Sequence, residues 1–333
     1  MDNHSPQLSS KIPASLLLLL ALVMAAPWLS AQNKEFRLAE DSLKSLLYNV
    51  HRGENDQVKY ESNQKLLKYF ASVLEDERSF KYPFDSLTHM ARLTSPDESF
   101  RILNWNLPLE NGTHEYFGFI QVRGNKDFPY RVYSLSDHSH EIESPEFMVL
   151  PHDRWYGALY YKVIHSRIKD KDYYTLLAWD GNNLLSTKKL IDVLSFKSNG
   201  KPQFGASIFR KYKDKDKNVR IIFEYSARTT MVLRYESQYL HVITQSKDKK
   251  NRKVKTRLET MILFDNLVPM DHRLSDNHPD LTGQYQFYVP ETNVLNGFIL
   301  KEGRWYFTKD VDARNPPPPK KKKRPAPPKS GNQ

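Results

Sequence analysis

Asp137, His138, His140 and Glu141 form the densest group of titratable side chains in the chain. In an extended segment, His138 and His140 would project from the same side, as two metal ligands do, and a carboxylate could complete the site. The two serines of this segment suit a polar loop equally well, and the spacing fixes no third ligand. The segment therefore predicts either a metal site at His138 and His140 or an exposed loop.

Signatures of known catalytic chemistry are absent from the sequence. It has no nucleophile elbow, no phosphate-binding glycine loop and no HExxH zinc motif. It also has no cysteine, which excludes disulfides, catalytic thiols and cysteine-bearing zinc sites. Two of its many carboxylates could serve as the acid and base of a glycosidase, but a sequence does not show their separation. The sequence therefore identifies no catalytic residue and indicates no cofactor.

Four tryptophans lie in or beside strand patterns and offer a second kind of site. Indole rings exposed on a sheet can line a carbohydrate-binding groove, whereas buried rings pack the core. The packing interpretation is favoured because it is the usual role of large aromatic side chains. The residues are Trp105, Trp155, Trp179 and Trp305.

The formal net charge of +11 is concentrated in two short segments. Residues 315–333 carry six positive charges and no negative charge, and residues 247–257 carry a net charge of +6. The rest of the chain therefore has a net charge of −1. The basic residues expected to contact an anionic surface are Lys247, Lys249, Lys250, Arg252, Lys253, Lys255, Arg257, Lys320, Lys321, Lys322, Lys323 and Arg324.

These two segments predict contacts with an anionic polymer or surface, such as anionic polysaccharide or lipid head groups. Their Lys-rich composition argues against sequence-specific binding of nucleic acid. The other interpretation is a solvated tail and a long hairpin loop, whose lysines discourage edge-to-edge aggregation. The prolines of the tail could also dock in an aromatic groove.

The N-terminal segment predicts export. An apolar run from Ile12 to Ala26 is shorter than the ~20 residues that span a bilayer, and small residues follow it. This pattern is typical of a secretory signal peptide cleaved after Ala31; an uncleaved anchor is the alternative. After cleavage we expect no transmembrane helix, and no lipid anchor through cysteine. The expected location is the periplasm, the cell surface or the medium, where another envelope protein is a further candidate partner.

The elements that must position these residues are of two kinds. Apolar residues spaced by three or four predict amphipathic helices over 36–50 and 58–74, and a shorter helix over 85–93. After about residue 100 the pattern changes to short strands rich in Tyr, Phe, Val and Ile. The expected hairpin turns are Asn111-Gly112, Asp180-Gly181 and Glu302-Gly303.

The predicted fold class is mainly β: an antiparallel sandwich or open barrel-like domain preceded by a small α-helical module. The expected divisions are a signal peptide over 1–31, a helical module over 32–95, a β-rich domain over 96–314 and a disordered Pro/Lys-rich tail over 315–333.

Six short segments share a pattern of aromatic strands and turn residues. They are Trp105 with Leu107-Pro108, Tyr116 to Gln121, Leu177 to Gly181, Met231 to Tyr235, Phe264 to Pro269 and Asp310 to Asn315. Together they resemble a group of uncharacterised exported β-rich proteins of Gram-negative bacteria. The resemblance covers roughly residues 100–315 and implies location and architecture, without an assigned activity. In that pattern a short turn joins the Arg-Tyr strand to Asp-His-Leu. This chain has a long basic insertion and Asn266 instead, which puts a functional role of position 266 in question.

The sequence therefore predicts an exported envelope protein that is a binding or structural module rather than an enzyme. Its basic segments are expected to contact anionic polymers or surfaces. The alternative is a secreted hydrolase that acts on carbohydrate or another envelope polymer. A deep cleft with two close carboxylates would favour the hydrolase, and a flat aromatic or basic surface would favour binding.

Overall fold

The structure is a computed structural model that describes residues 34–124, 126, 129–212, 217–243, 254–270 and 287–311, without the side chains of 239–243 and 254–256. Strands account for 47% of the described residues and helices for 22%, which confirms the mainly β class. Within these ranges, no helix has both the length and the apolar character that crossing a bilayer requires.

Two α-helices precede the strands, as the apolar stripes predict. Helix α1 covers 34–52 and helix α2 covers Asp56–Leu74. The side chain of Asn55 accepts a hydrogen bond from the Val58 amide at 3.0 Å, which caps the first turn of α2. Both helices bury their apolar stripes against the first sheet, with Phe70 of α2 fully buried there.

The segment after α2 differs from the prediction. A 3-10 helix over Glu77–Lys81 is followed by turns, and strand β1 occupies Ala91–Thr94. The helix predicted over 85–93 is therefore wrong. Strand β1 pairs antiparallel with the next strand, β2 (Phe100–Pro108), so strand pairing outweighs the local helical pattern. The first sheet consequently begins inside the segment 32–95 that was expected to be helical.

The described residues form fifteen strands in three sheets. After β1 and β2 the strands are β3 (His114–Val122), β4 (Arg131–Ser136), β5 (Leu150–Pro151), β6 (Leu159–Ile168), β7 (Lys171–Asp180), β8 (Ser186–Phe196), β9 (Pro202–Phe204), β10 (Phe209–Arg210), β11 (Ile221–Ser226), β12 (Leu233–Ile243), β13 (Val254–Pro269), β14 (Tyr288–Lys301) and β15 (Arg304–Thr308). Asn111-Gly112, Asp180-Gly181 and Glu302-Gly303 lie at the three predicted hairpin turns.

The first sheet has the order β1-β2-β3-β4, and the third has the order β10-β15-β14-β13-β12. The second has the order β5-β9-β8-β7-β6, with β11 also paired to β8. Every pairing between these strands is antiparallel except that of β10 with β15. Within the described residues, none of the sheets closes on itself.

The sheets stack in layers, with the helices on the outer face of the first sheet. Side chains alternate along a strand and so reach two different cores. On β7, Leu176 packs in the core shared by the first and second sheets, whereas Leu177 packs in the core shared by the second and third. Because the second sheet is covered on both faces, its strands contain continuous apolar runs rather than an alternating pattern.

Candidate functional site

A cleft of about 860 Å³ opens beside the core that the second and third sheets share. Strand β11 lines one side, and β13, β14 and the end of β15 line the other. The volume lies within the ~300–1,000 Å³ that small-molecule sites occupy. It exceeds the 700 Å³ of the pocket that His138 and His140 border. We therefore take this cleft as the candidate site.

An irregular pairing of β13 with β14 forms the floor of the cleft. The ladder pairs Asp265 with Leu295 and then Leu267 with Pro290. One residue of β13, Asn266, and four residues of β14 are left between these two pairs. A bulge of this kind turns a side chain away from its regular direction. Asn266 lines the cleft as a result.

A chain of hydrogen bonds crosses this floor. Asn266 donates through Nδ2 to Glu291 Oε2 at 2.7 Å, and its Oδ1 accepts from Asn296 Nδ2 at 3.0 Å. The Oδ1 atom of Asn296 accepts from the Asp310 amide at 3.3 Å. Asn296 is buried, and each amide both donates and accepts, so the direction of the chain is fixed. We call Glu291, Asn266 and Asn296 the polar relay.

Asp265 precedes the bulge and also lines the cleft. Its Oδ2 accepts from the Val232 amide at 2.7 Å, which fixes the chain just before β12. Burial raises the pKa of Asp265, although the hydrogen bond from Val232 and the charge of Arg234 oppose the shift. A carboxyl group that keeps its proton to a higher pH has the property required of a general acid.

Aromatic rings form the walls of the cleft. Phe307 and Tyr288 are half-buried, so part of each ring faces the opening. Tyr212 packs edge-on against Phe307, with 5.3 Å between ring centroids. Phe223 and Phe264 lie deeper and pack against each other at 4.7 Å. The walls are therefore rigid apolar surfaces beside a polar floor.

The charged side chains that line the cleft are mostly acidic. They comprise four carboxylates and two lysines among the described residues, a formal net charge of −2. These side chains are Glu224, Asp265, Glu291, Asp310, Lys211 and Lys309. The cleft is therefore unlike the two basic segments in its charge.

The segment considered as a metal site is not extended. Residues Ser139–Glu141 form a 3-10 helix, and His138 Nδ1 lies 3.1 Å from Glu141 Oε2. His140 is exposed. Asp137 accepts hydrogen bonds from backbone amides, among them that of Gly157 at 3.1 Å, and so supports the loop. Across the part of the chain that the structure describes, no three His, Asp or Glu side chains are grouped to hold a metal.

Two of the basic residues predicted to contact anionic surfaces lie on β13. Arg257 has a side chain 68% exposed and pairs with Glu259. Lys255 pairs with Val242 in the β12–β13 ladder, and its side chain is outside the described set. The antiparallel pairing of β12 with β13 agrees with a hairpin at this point of the chain. The residues Lys247, Lys249, Lys250, Arg252, Lys253, Lys320, Lys321, Lys322, Lys323 and Arg324 lie outside the described residues.

Three of the four tryptophans are fully buried, which confirms the packing interpretation for Trp105, Trp155 and Trp305. Trp179 is half-buried and packs edge-on against His114 at 5.4 Å. None of the four lines the cleft. Sequence reasoning missed the polar relay. The available signal was the group of six patterned segments, because two of them contribute to the cleft, through residues 264–267 and through Asp310.

Fold and site together define a layered β protein with a ligand-sized cleft between two mainly antiparallel sheets. No protein-family model matches the chain, and no curated protein or solved structure is detectably similar to it.

Proposed function

We propose that the protein is an exported binding protein whose cleft takes a neutral carbohydrate. The polar relay carries this proposal, because it holds amide and carboxylate groups in fixed directions beside aromatic walls. A sugar presents hydroxyl groups that both donate and accept hydrogen bonds, and C–H faces that pack on aromatic rings. The cleft offers a counterpart to both features.

The charge of the cleft selects among carbohydrates. With four carboxylates and two lysines, the lining repels an anionic ligand, and a neutral one avoids that repulsion. Anionic polysaccharide or lipid head groups instead suit the basic run at 247–257 and the tail. We infer two separate binding modes, of which only the cleft mode is insensitive to salt.

Export rests on the sequence. The apolar run over 12–26, the small residues after it and the lack of cysteine all support a cleaved signal peptide and a location in the envelope or the medium. The resemblance to exported β-rich proteins of Gram-negative bacteria points the same way. Surface glycans and cell-wall sugars are the neutral carbohydrates that such a protein meets.

The test is a calorimetric titration of the full chain with neutral gluco-, manno- and N-acetylgluco-oligosaccharides. An anionic hyaluronan oligosaccharide serves as the comparison. We expect at least one neutral sugar to bind equally at low and high salt, and Glu291→Gln to weaken it by roughly tenfold or more. Glu236→Gln is the matched control, because Glu236 lies on the same sheet outside the cleft.

The proposal fails if no neutral sugar binds at millimolar concentration. It also fails if Glu291→Gln and Glu236→Gln bind the sugar equally well. Hyaluronan binding that is lost at high salt, together with no binding of any neutral sugar, would transfer the function to the basic segments.

A secreted hydrolase is the second candidate, and the raised pKa of Asp265 favours it. A carboxyl group of this kind could protonate a leaving group while another cleft carboxylate acts as base or nucleophile. Incubating the neutral sugars with the full chain tests it by mass spectrometry of the products. Cleavage that Asp265→Asn abolishes would establish the hydrolase, and intact sugars after long incubation would leave a binding protein.

A further inference from the structure

Three consecutive apolar side chains are exposed in the segment that connects the first sheet to the second. Phe147 is 50% exposed, Met148 38% and Val149 50%. They end a segment, residues 141–149, that we call the acidic–apolar loop. Single exposed apolar residues are ordinary on protein surfaces, but a contiguous group marks an interaction site.

The loop is held from beneath by a buried ion pair. Arg220 is fully buried, with its Nε atom 2.9 Å from Asp192 Oδ1, and its Nη1 donates to the Pro145 carbonyl at 2.7 Å. The Val219 amide donates to the Glu146 carbonyl at 2.8 Å. The exposed side chains are therefore presented on an ordered backbone, which lowers the entropy lost when a partner binds.

The charge of the loop specifies the partner. Residues 141–149 include Glu141, Glu143 and Glu146 and contain no lysine or arginine. A complementary ligand carries positive charge together with an apolar, preformed shape. The tail at 315–333 has this composition, because it holds six basic residues, seven prolines and no acidic residue. Proline-rich segments dock on aromatic surfaces with little loss of entropy.

The described chain ends at Val311, three residues after β15. The Tyr212 ring lies 5.3 Å from Phe307 of β15, and Tyr212 and Asp310 line the same cleft. Burial raises the pKa of Tyr212, and the negative charge of Glu146 in the loop adds to the shift. The 22 residues after Val311 can extend over roughly 70 Å, which gives the tail a long reach from the end of β15.

We propose that the tail docks on the acidic–apolar loop of its own chain. The prolines at 316–319 pack on Phe147 and Met148, and the basic run at 320–324 faces the three glutamates. The tail then has an anionic partner within the molecule. This inference is independent of what the cleft binds.

Energy transfer between two dyes tests the docking in the full chain. The protein has no cysteine, so Asp153→Cys beside the loop and Ser330→Cys in the tail give unique labelling sites. We expect high transfer at about 50 mM salt and a drop of roughly twofold or more at about 500 mM, because salt screens the ion pairs. The triple change Phe147→Ser, Met148→Ser and Val149→Ser is expected to give the low value at both salt concentrations.

The matched control replaces another exposed apolar pair, Leu184→Ser with Leu185→Ser, whose side chains are 74% and 63% exposed. It should leave the transfer at the parent value, and circular dichroism checks that every variant is folded. Transfer that is low in the parent at low salt overturns the proposal. Equal transfer in the triple variant and the parent also overturns it, as does transfer that arises only between separately labelled chains, which would assign the tail to a second copy.

Discussion

The first sheet and strands β12 to β15 of the third sheet are both antiparallel, but they pair in different ways. Strands β2 and β3 pair without interruption over nine residues, from Phe100 opposite Val122 to Pro108 opposite His114. Strands β13 and β14 lose their register at Asn266. The continuous ladder packs its buried face against the helices, whereas the interrupted ladder lines the 860 Å³ cleft.

The buried polar groups follow the same division. In the first region Trp105 Nε1 donates to Asn63 Oδ1 at 2.8 Å, and Arg101 donates to the Gln121 side chain. Both the donor and the acceptor of each bond are buried, so these bonds specify how the helices pack on the sheet. In the third region the polar relay ends at Glu291, which is half-buried at the cleft. The two regions differ in pairing more than in composition, and the irregular pairing at Asn266 lies where the cleft opens.

The largest expected effect lies in the closed core. Trp105→Ala removes a fully buried indole and leaves Asn63 without its partner, so we expect the free energy of unfolding to fall by about 3–5 kcal/mol. Urea denaturation measures the loss. Sugar affinity under folding conditions should be unchanged, because Trp105 does not line the cleft. A loss below about 1 kcal/mol would break the distinction between the two regions.

A smaller effect concerns how the stability of the first region, formed by the helices and the first sheet, depends on pH. Burial lowers the pKa of both His51 and His114, and each is linked to Asn106. The unfolded chain then binds protons below about pH 6.5 that the folded chain does not, so stability falls as the pH drops from 7 towards the lowered values. Melting temperatures at pH 7.5 and 5 measure this slope.

The double variant His51→Gln with His114→Gln should flatten that slope, since glutamine does not titrate. The exposed His140→Gln serves as the control and should leave it unchanged. A slope that persists in the double variant would assign the acid sensitivity to other groups.

The smallest effect lies at the cleft, where we expect stability to fall as the pH rises, opposite to the histidine effect. Burial raises the pKa of Asp265, so its contribution to stability is present at low pH and is lost as the pH rises through the folded-state value. Asp265→Asn keeps an acceptor for the Val232 amide and avoids the buried charge. We expect a gain below about 1 kcal/mol at pH 7, because the group is partly exposed and screened, and no gain at pH 3. Destabilisation at pH 7 would contradict this assignment.

Local patterns predicted much of the fold. The spacing of apolar residues identified α1 and α2, and the strand-rich pattern after about residue 100 identified the β part of the chain. The helix predicted over 85–93 was wrong because the end of this segment forms β1, which pairs with the neighbouring strand β2. The sequence did not indicate the number of layers, because a strand buried on both faces has no alternation of apolar and polar residues.

The candidate site was harder to predict because it depends on register. The bulge at Asn266 can be recognised only when β13 and β14 are aligned, and no residue type in the sequence indicates it. The partners Glu291 and Asn296 are 25 and 30 positions away from Asn266 along the chain. The buried ion pair of Arg220 with Asp192 was not predicted, for the same reason. Side chains that meet through strand pairing cannot be matched from spacing alone.

The central claim is that the interrupted ladder of β13 and β14 is the ligand site. A crystal structure of the full chain with the neutral oligosaccharide that binds most tightly in the titration tests it directly. We predict a sugar ring packed against Phe307 or Tyr288, with hydroxyl groups hydrogen-bonded to Asn266 and Glu291. A sugar bound elsewhere on the protein, with the cleft filled only by solvent, would contradict it.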